Sequence, residues 1–187
     1  EIYPESQKIY KQETEHEYEI IGMLNDKKLL YAGAIVLGMN DALVELTGTL
    51  SGIALAFDKS LTVGLTGLIM GIAASLSMAG SAYFEAKENP SDDINPLIYS
   101  LYTGVSYILT TTILVVPFFI FETMAYSLIM MFISAFLAII SYNFYISVAK
   151  DLSFSKRVIQ MSAITFGVAL ISFGIGYVVK YYFGIEI

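Results

Sequence analysis

The sequence predicts an all-α, polytopic membrane protein with five transmembrane helices and a charged N-terminal helix in the cytoplasm. Of the 187 residues, 56% are hydrophobic, whereas soluble globular domains are about 45–50% apolar. The mean hydropathy is +0.67, and the apolar residues fall in long runs that contain few charges. Because a spanning helix needs about 20 mostly apolar residues, these runs predict membrane spans.

Residues 1–28 form the first predicted element, and their composition differs from that of the rest of the chain. Acidic and basic residues are frequent there, and Ile9, Ile20 and Leu24 belong to a partial apolar stripe. This pattern is typical of an amphipathic helix on a water-facing surface. It predicts a cytoplasmic helix at 1–28, followed by a transmembrane domain at 29–187.

The apolar runs are predicted to be spans at 29–57, 61–85, 97–121, 124–149 and 158–183. A tight turn separates the first two runs, and a very short turn at Glu122 separates the third from the fourth. The linker at 87–96 contains two prolines and several acids. Prolines and polar residues stop a helix, so this linker is predicted to be a water-facing loop.

The distribution of basic residues predicts the orientation of the chain. Eight of the ten lysines and arginines fall on one predicted side of the membrane, and the other two are Lys59 and Lys180. Loops on the cytoplasmic side are enriched in these residues. The N-terminus is therefore predicted in the cytoplasm and the C-terminus outside, in the cell membrane of a prokaryote.

Composition also excludes several classes of function. The net charge of −7 argues against nucleic acid, whose binding needs clustered lysine and arginine. The chain has no cysteine, so thiolate metal sites and iron–sulfur clusters are excluded. No phosphate-binding loop, nucleophile–base pair or dinucleotide fingerprint is present. We therefore expect neither an enzyme nor a protein with a prosthetic group.

Two acids inside the first predicted span are the strongest functional signal. Asp41 and Glu45 are four residues apart and share one helix face. A charged side chain at such a depth costs about 2.5–3.5 kcal/mol on insertion scales, so it usually serves a function. The alternative is a structural membrane protein in which the acids pair internally, for example with Asn40, Asn143 or a lysine.

Met78 is predicted at the same depth as Asp41, because the two residues are equally far from the turn that joins the first two spans. Gly48 and Gly52 continue the acidic face, and small residues also recur on the second span at Gly64, Gly67, Gly71 and Ser75. Carboxylates with a thioether favour a first-row divalent metal, and protons compete for the same oxygens. The alternative is that Met78 only packs.

The sequence resembles the vacuolar iron transporter family in two motifs. The residues that carry the resemblance are Asn40-Asp41-Ala42-Leu43-Val44 with Thr47-Gly48 in the first span, and Ser77-Met78-Ala79 with Tyr83 in the second. The resemblance implies export of Fe²⁺ or Mn²⁺ from the cytosol, as transported substrate, in exchange for protons. It also implies a homodimer in the lipid bilayer, with the metal path between the first and second spans and Asp41 and Met78 as ligands.

The sequence departs from the family pattern at several positions. Ala42 replaces a glycine, and Ala82 stands where the family has a glutamate. Glu85, one turn further toward the cytoplasm, is the candidate substitute, and with Glu88 it would form an acidic cluster where metal is captured. The cytosolic domain that many members carry between the second and third spans is absent from this sequence.

The N-terminal helix carries a second candidate metal motif. Glu13 and His16 have the Glu-x-x-His spacing of a di-iron ligand pair on a bundle helix, and Glu17 lies beside them. Some relatives in the family carry a ferritin-like domain before the spans, and residues 1–28 resemble its last helix. An alternative function is therefore a membrane anchor of a ferritin-like iron oxidase, with little transport. The motif is also compatible with a merely solvated, charged helix.

Overall fold

A computed structural model of the chain describes residues 31–57, 59–89, 94–150 and 152–183. The described residues form five helices and no strand. The helices are α1 (Ala32–Ile53), α2 (Ser60–Glu88), α3 (Pro96–Ile120), α4 (Met124–Lys150) and α5 (Phe154–Phe183). They lie within a few residues of the five apolar runs, which confirms the all-α class. The helix predicted at 1–28 lies outside the described residues.

Four of these helices, α2 to α5, are long and apolar enough to cross a membrane. They identify the chain as an integral membrane protein. The helix α1 does not reach the same hydropathy, because Asn40, Asp41 and Glu45 lie near its middle. Length and composition therefore support four candidate spans, where the sequence pattern predicted five.

The polar helix α1 lies at the centre of the bundle and contacts each of the other four helices. Its leucines Leu43, Leu46 and Leu50 are completely or almost completely buried, together with Tyr107 of α3 and Met131 of α4. Burial of such side chains holds the helices together by close packing, since lipid and protein interiors are similarly apolar. The one described helix that falls short of a candidate span is thus covered by the four that qualify.

Glycines on α1 set how closely two of its neighbours approach. A Cβ at Gly38 would overlap the Thr103 carbonyl of α3, and a Cβ at Gly176 of α5 would overlap the backbone of Gly52. Gly48 likewise faces α5, at Val168. Gly48 and Gly52, which continue the acidic face of α1, therefore pack against α5.

The small residues of α2 pack mainly against α3. A Cβ at Gly64 would meet Phe118, and one at Gly71 would meet Thr111, so both glycines admit α3 side chains. Gly67 is the exception, because it faces Leu50 of α1 as well as α3. Contact between α1 and α2 is much less extensive than that between α2 and α3. The tight α1–α2 slot predicted from these glycines is not formed within one chain.

Polar contacts fasten the helix ends on both sides of the bundle. At the start of α3, the Asn95 side chain accepts a hydrogen bond from the backbone N–H of Leu97 at 2.9 Å, and the Asn95 N–H donates to the Tyr31 hydroxyl at 3.0 Å. At the opposite side, the hydroxyls of Ser60 and Ser127 are 2.7 Å apart, both buried. These contacts fix the vertical register of α1, α2, α3 and α4.

Candidate functional site

The candidate site begins with the two acids of α1, which lie one turn apart. Asp41 is partly buried, whereas Glu45 is exposed at the surface of the single chain. Their side chains project from the same face of α1. The site is therefore acidic and is carried by the most enclosed helix of the bundle.

A tyrosine from α3 reaches Glu45. The Tyr107 hydroxyl donates a hydrogen bond of 2.7 Å to Glu45 Oε2, and the tyrosine side chain is fully buried. The close approach of α3 to α1 at Gly38 makes this contact geometrically accessible. Sequence reasoning missed Tyr107, because only the packing of two helices brings it to an acid.

Asp41 opens onto a cavity between three helices. The cavity has a volume of about 440 Å³, and its polar lining comes from Asp41 and Asn40 of α1, Glu85 of α2 and Tyr99 of α3. Its remaining lining residues are Gly33, Val36, Leu37 and Val44. The structure thus places two of the predicted metal-site acids, Asp41 and Glu85, around one cavity.

An unpartnered oxygen lies beside this acid. Asn40 Oδ1 is buried and has no hydrogen-bond partner among the described residues. Buried polar atoms are normally satisfied, so an orphan acceptor indicates a missing ion, proton donor or water. A cation bound near Asp41 would satisfy such an oxygen. Sequence reasoning considered Asn40 only as a partner for the acids.

The other predicted ligands lie elsewhere or outside the described residues. Met78 is partly buried and packs against the hydrophobic core, and it does not line the cavity beside Asp41. Glu88 is exposed at the end of α2. The candidates of the N-terminal segment, Glu13, His16 and Glu17, fall outside the part of the chain that the structure describes.

The side chains at this site that could bind a metal ion offer oxygen atoms as ligands. Carboxylates and an amide oxygen suit divalent cations such as Mg²⁺ and Mn²⁺. Within the described residues, no group of three histidine or acidic side chains is close enough to hold a metal ion. The described part of one chain therefore brings at most two such side chains to any one metal ion.

The fold and the cavity define a class: an all-helical integral membrane protein whose central helix carries acids. No family model matches the chain, and no curated protein is significantly similar to it. The resemblance to the vacuolar iron transporter family therefore rests on the motif residues of the first and second predicted spans.

Proposed function

We propose that the chain transports a divalent transition metal, Fe²⁺ or Mn²⁺, out of the cytosol in exchange for protons. The observation that carries this proposal is the acidic cavity beside the central helix. Asp41 and Glu85 contribute two carboxylates to it, and among the residues that the structure describes no lysine or arginine lines it. Two carboxylates that face one cavity repel each other and attract positive charge, so the cavity favours binding of a cation or a proton. Competition between the two is the basis of exchange.

The same proposal makes α1 a fifth span. Its acids are unfavourable in lipid, but contacts with all four other helices shield most of its surface. An odd number of spans agrees with the bias of basic residues toward one side, with the N-terminus in the cytoplasm. In that orientation, Glu85 and Glu88 lie at the cytoplasmic end of α2 and capture the metal.

A second copy of the chain would complete the site. Glu45 is exposed on the single chain, and the described residues lack a three-ligand group. One exposed face of α2 carries three small or polar residues beside Phe84, whereas the neighbouring stripe carries only bulky apolar ones. The three small or polar residues are Ala73, Ser77 and Ser81. A two-fold axis along this face would pair each acid with its own copy, and it would bring Met78 of both chains nearer the path.

Metal uptake into proteoliposomes tests the proposal. We expect wild-type vesicles to accumulate Mn²⁺ when a proton gradient is imposed, and we expect Asp41→Asn to reduce uptake to the level of empty vesicles. The amide keeps the size of the side chain but loses the charge that attracts the cation. Glu122→Gln is the matched control, because it removes one exposed acid from the α3–α4 turn, away from the cavity. Equal uptake by the wild type and Asp41→Asn would refute the assignment.

A membrane anchor for a ferritin-like oxidase is the second candidate function. The absence of a three-ligand group from the described residues favours it, as does the buried alanine at position 82, where the family has a glutamate. The two functions differ in a simple measurement on the same vesicles. Oxidation of Fe²⁺ without accumulation of metal would favour the anchor, whereas accumulation that depends on Asp41 would favour the transporter.

A further inference from the structure

The hydrogen bond between Tyr107 and Glu45 joins two helices at the acidic site. Tyr107 is fully buried in the core, so its ring has little freedom to move, and its hydroxyl holds Glu45 Oε2 at 2.7 Å. Glu45 itself is exposed. One oxygen of the carboxylate is therefore held by a fixed donor, while the side chain stays accessible from outside the chain.

This arrangement limits how Glu45 can bind a metal ion. A free carboxylate binds a cation through one oxygen or through both. Ca²⁺ takes about 6–8 oxygen ligands and often binds carboxylates through both oxygens. Mg²⁺ demands a compact octahedral shell of about six ligands, for which one oxygen per carboxylate is enough. The hydrogen bond turns Oε2 inward toward the buried Tyr107, so a cation that reaches the exposed side of Glu45 meets the other oxygen. Binding through one oxygen suits small cations better than Ca²⁺.

We propose that Tyr107 is a specificity-determining residue that restricts Glu45 to one metal-binding oxygen and thereby discriminates against Ca²⁺. Tyr107 acts through Glu45 and does not touch the metal, so it is a positioning residue. This inference rests on the proposed function, and in particular on the site completed by a second copy. Glu45 does not line the cavity beside Asp41, and it would contact the transported ion where two copies meet. It assigns the selectivity of the site to a side chain of the third helix.

Competition between ions in reconstituted vesicles tests the inference. Mn²⁺ uptake is measured with increasing Ca²⁺ or Mg²⁺, for the wild type and for Tyr107→Phe. Removal of the hydroxyl frees Oε2 but keeps the buried ring. We expect the Ca²⁺ concentration that halves uptake to fall about tenfold, comparable to the exchange of one charged hydrogen bond for a metal–oxygen contact. The Mg²⁺ concentration that halves uptake should change less than about twofold, because binding through one oxygen already suffices for that ion.

Tyr142→Phe is the matched control. Tyr142 is also buried, on α4, but its hydroxyl lies beside Arg157 and not beside a carboxylate. We expect this variant to keep the wild-type inhibition by both ions. A second test variant, Glu45→Asp, retracts the carboxylate from Tyr107 by one methylene and should also increase inhibition by Ca²⁺ alone.

The outcomes separate this inference from the proposed function. Without Asp41-dependent Mn²⁺ uptake by the wild type, the proposed function fails, and the inference fails with it. With such uptake, an unchanged Ca²⁺ value in Tyr107→Phe overturns the inference alone. Equal shifts for Ca²⁺ and Mg²⁺ also overturn it, because they indicate a general loosening of the site. If Tyr107→Phe cannot be reconstituted, Glu45→Asp decides by the same criteria.

Discussion

Gly38 shows how a single missing side chain permits the contact between α1 and α3. A Cβ at this position would overlap the carbonyl oxygen of Thr103 and the hydroxyl of Ser106. Backbone atoms cannot move away as a flexible side chain can, so α1 and α3 would have to separate. Since Tyr107 lies one turn from Thr103 on the same helix, a separation at Gly38 also acts on its contact with Glu45.

We therefore expect Gly38→Ala to lower stability by about 1–3 kcal/mol, the usual cost of overpacking a filled interior. Thermal unfolding of the detergent-solubilised chain, followed by circular dichroism, measures this effect. Gly80→Ala is the control, because nothing lies within 4 Å of a Cβ built there. Equal unfolding temperatures for the two variants would mean that α1 and α3 are not in close contact.

At the residue scale, the sequence identified acids but not their partners. Asp41 and Glu45 stood out because charges are rare within apolar runs, and the structure places both on the central helix. Tyr107 and Tyr99 were missed because aromatic residues in a span usually pack or anchor the helix. Their roles depend on which helix faces which, and no local pattern encodes that information.

The junction of α1 and α5 depends on two glycines that face each other. A Cβ at Gly176 would overlap the carbonyl oxygen of Gly52, so the two backbones are in direct contact. Ser172, one turn before Gly176, faces Gly48 across the same junction. Close approach of this kind lets van der Waals contacts hold helices together in lipid.

We expect Gly176→Ala to open this junction. The chain has no cysteine, so Ser172→Cys introduces a single thiol that reports on access to the junction. Labelling of this thiol by a maleimide should become several-fold faster when Gly176→Ala is added. Gly174→Ala serves as the control on the same helix, since a Cβ there meets nothing within 4 Å. An unchanged labelling rate in the Gly176→Ala background would contradict a tight junction.

At the scale of elements, the sequence predicted where helices lie better than how they pair. Runs of apolar residues bounded by prolines and charges placed the boundaries of the five described helices within a few residues. The helices predicted to contact these small residues were wrong, because glycines at helical spacing indicate a close contact but not which helix makes it. Gly48 and Gly52 meet α5, and Gly64 and Gly71 meet α3.

The whole molecule presents two kinds of surface. Bulky apolar side chains such as Leu65, Ile69 and Leu76 form one exposed stripe on α2, as expected of a helix that faces lipid. The neighbouring face of the same helix carries Ala73 and Ser77 instead. Small residues at the surface of a membrane helix favour contact with another helix.

We predict that Ser77→Cys is cross-linked to a second copy by a short bifunctional maleimide in membranes. Leu76→Cys is the control at the same depth, because it points toward the apolar stripe and is 70% exposed. Gel electrophoresis of the treated membranes should show a dimer band only for Ser77→Cys. Cross-linking of both variants, or only of Leu76→Cys, would place the interface elsewhere or rule out a specific dimer.

The fold class at the scale of the whole molecule followed from composition, because hydropathy alone distinguishes a membrane protein from a soluble one. The central position of α1 did not follow from composition. Hydropathy ranks helices by their affinity for lipid, and the order of the helices in space also depends on which polar groups must be covered. The polar α1 is central because four apolar neighbours cover it better than lipid does.

This central position has a consequence for biosynthesis. During translation, α1 leaves the ribosome before α3, α4 and α5, which later cover most of its surface. On its own it partitions weakly into the bilayer, because the charged side chains at its middle oppose insertion. We therefore expect α1 to enter the bilayer stably only after α3, α4 and α5 have been made. Although α1 emerges from the ribosome before these helices, it would be the last to reach its final position.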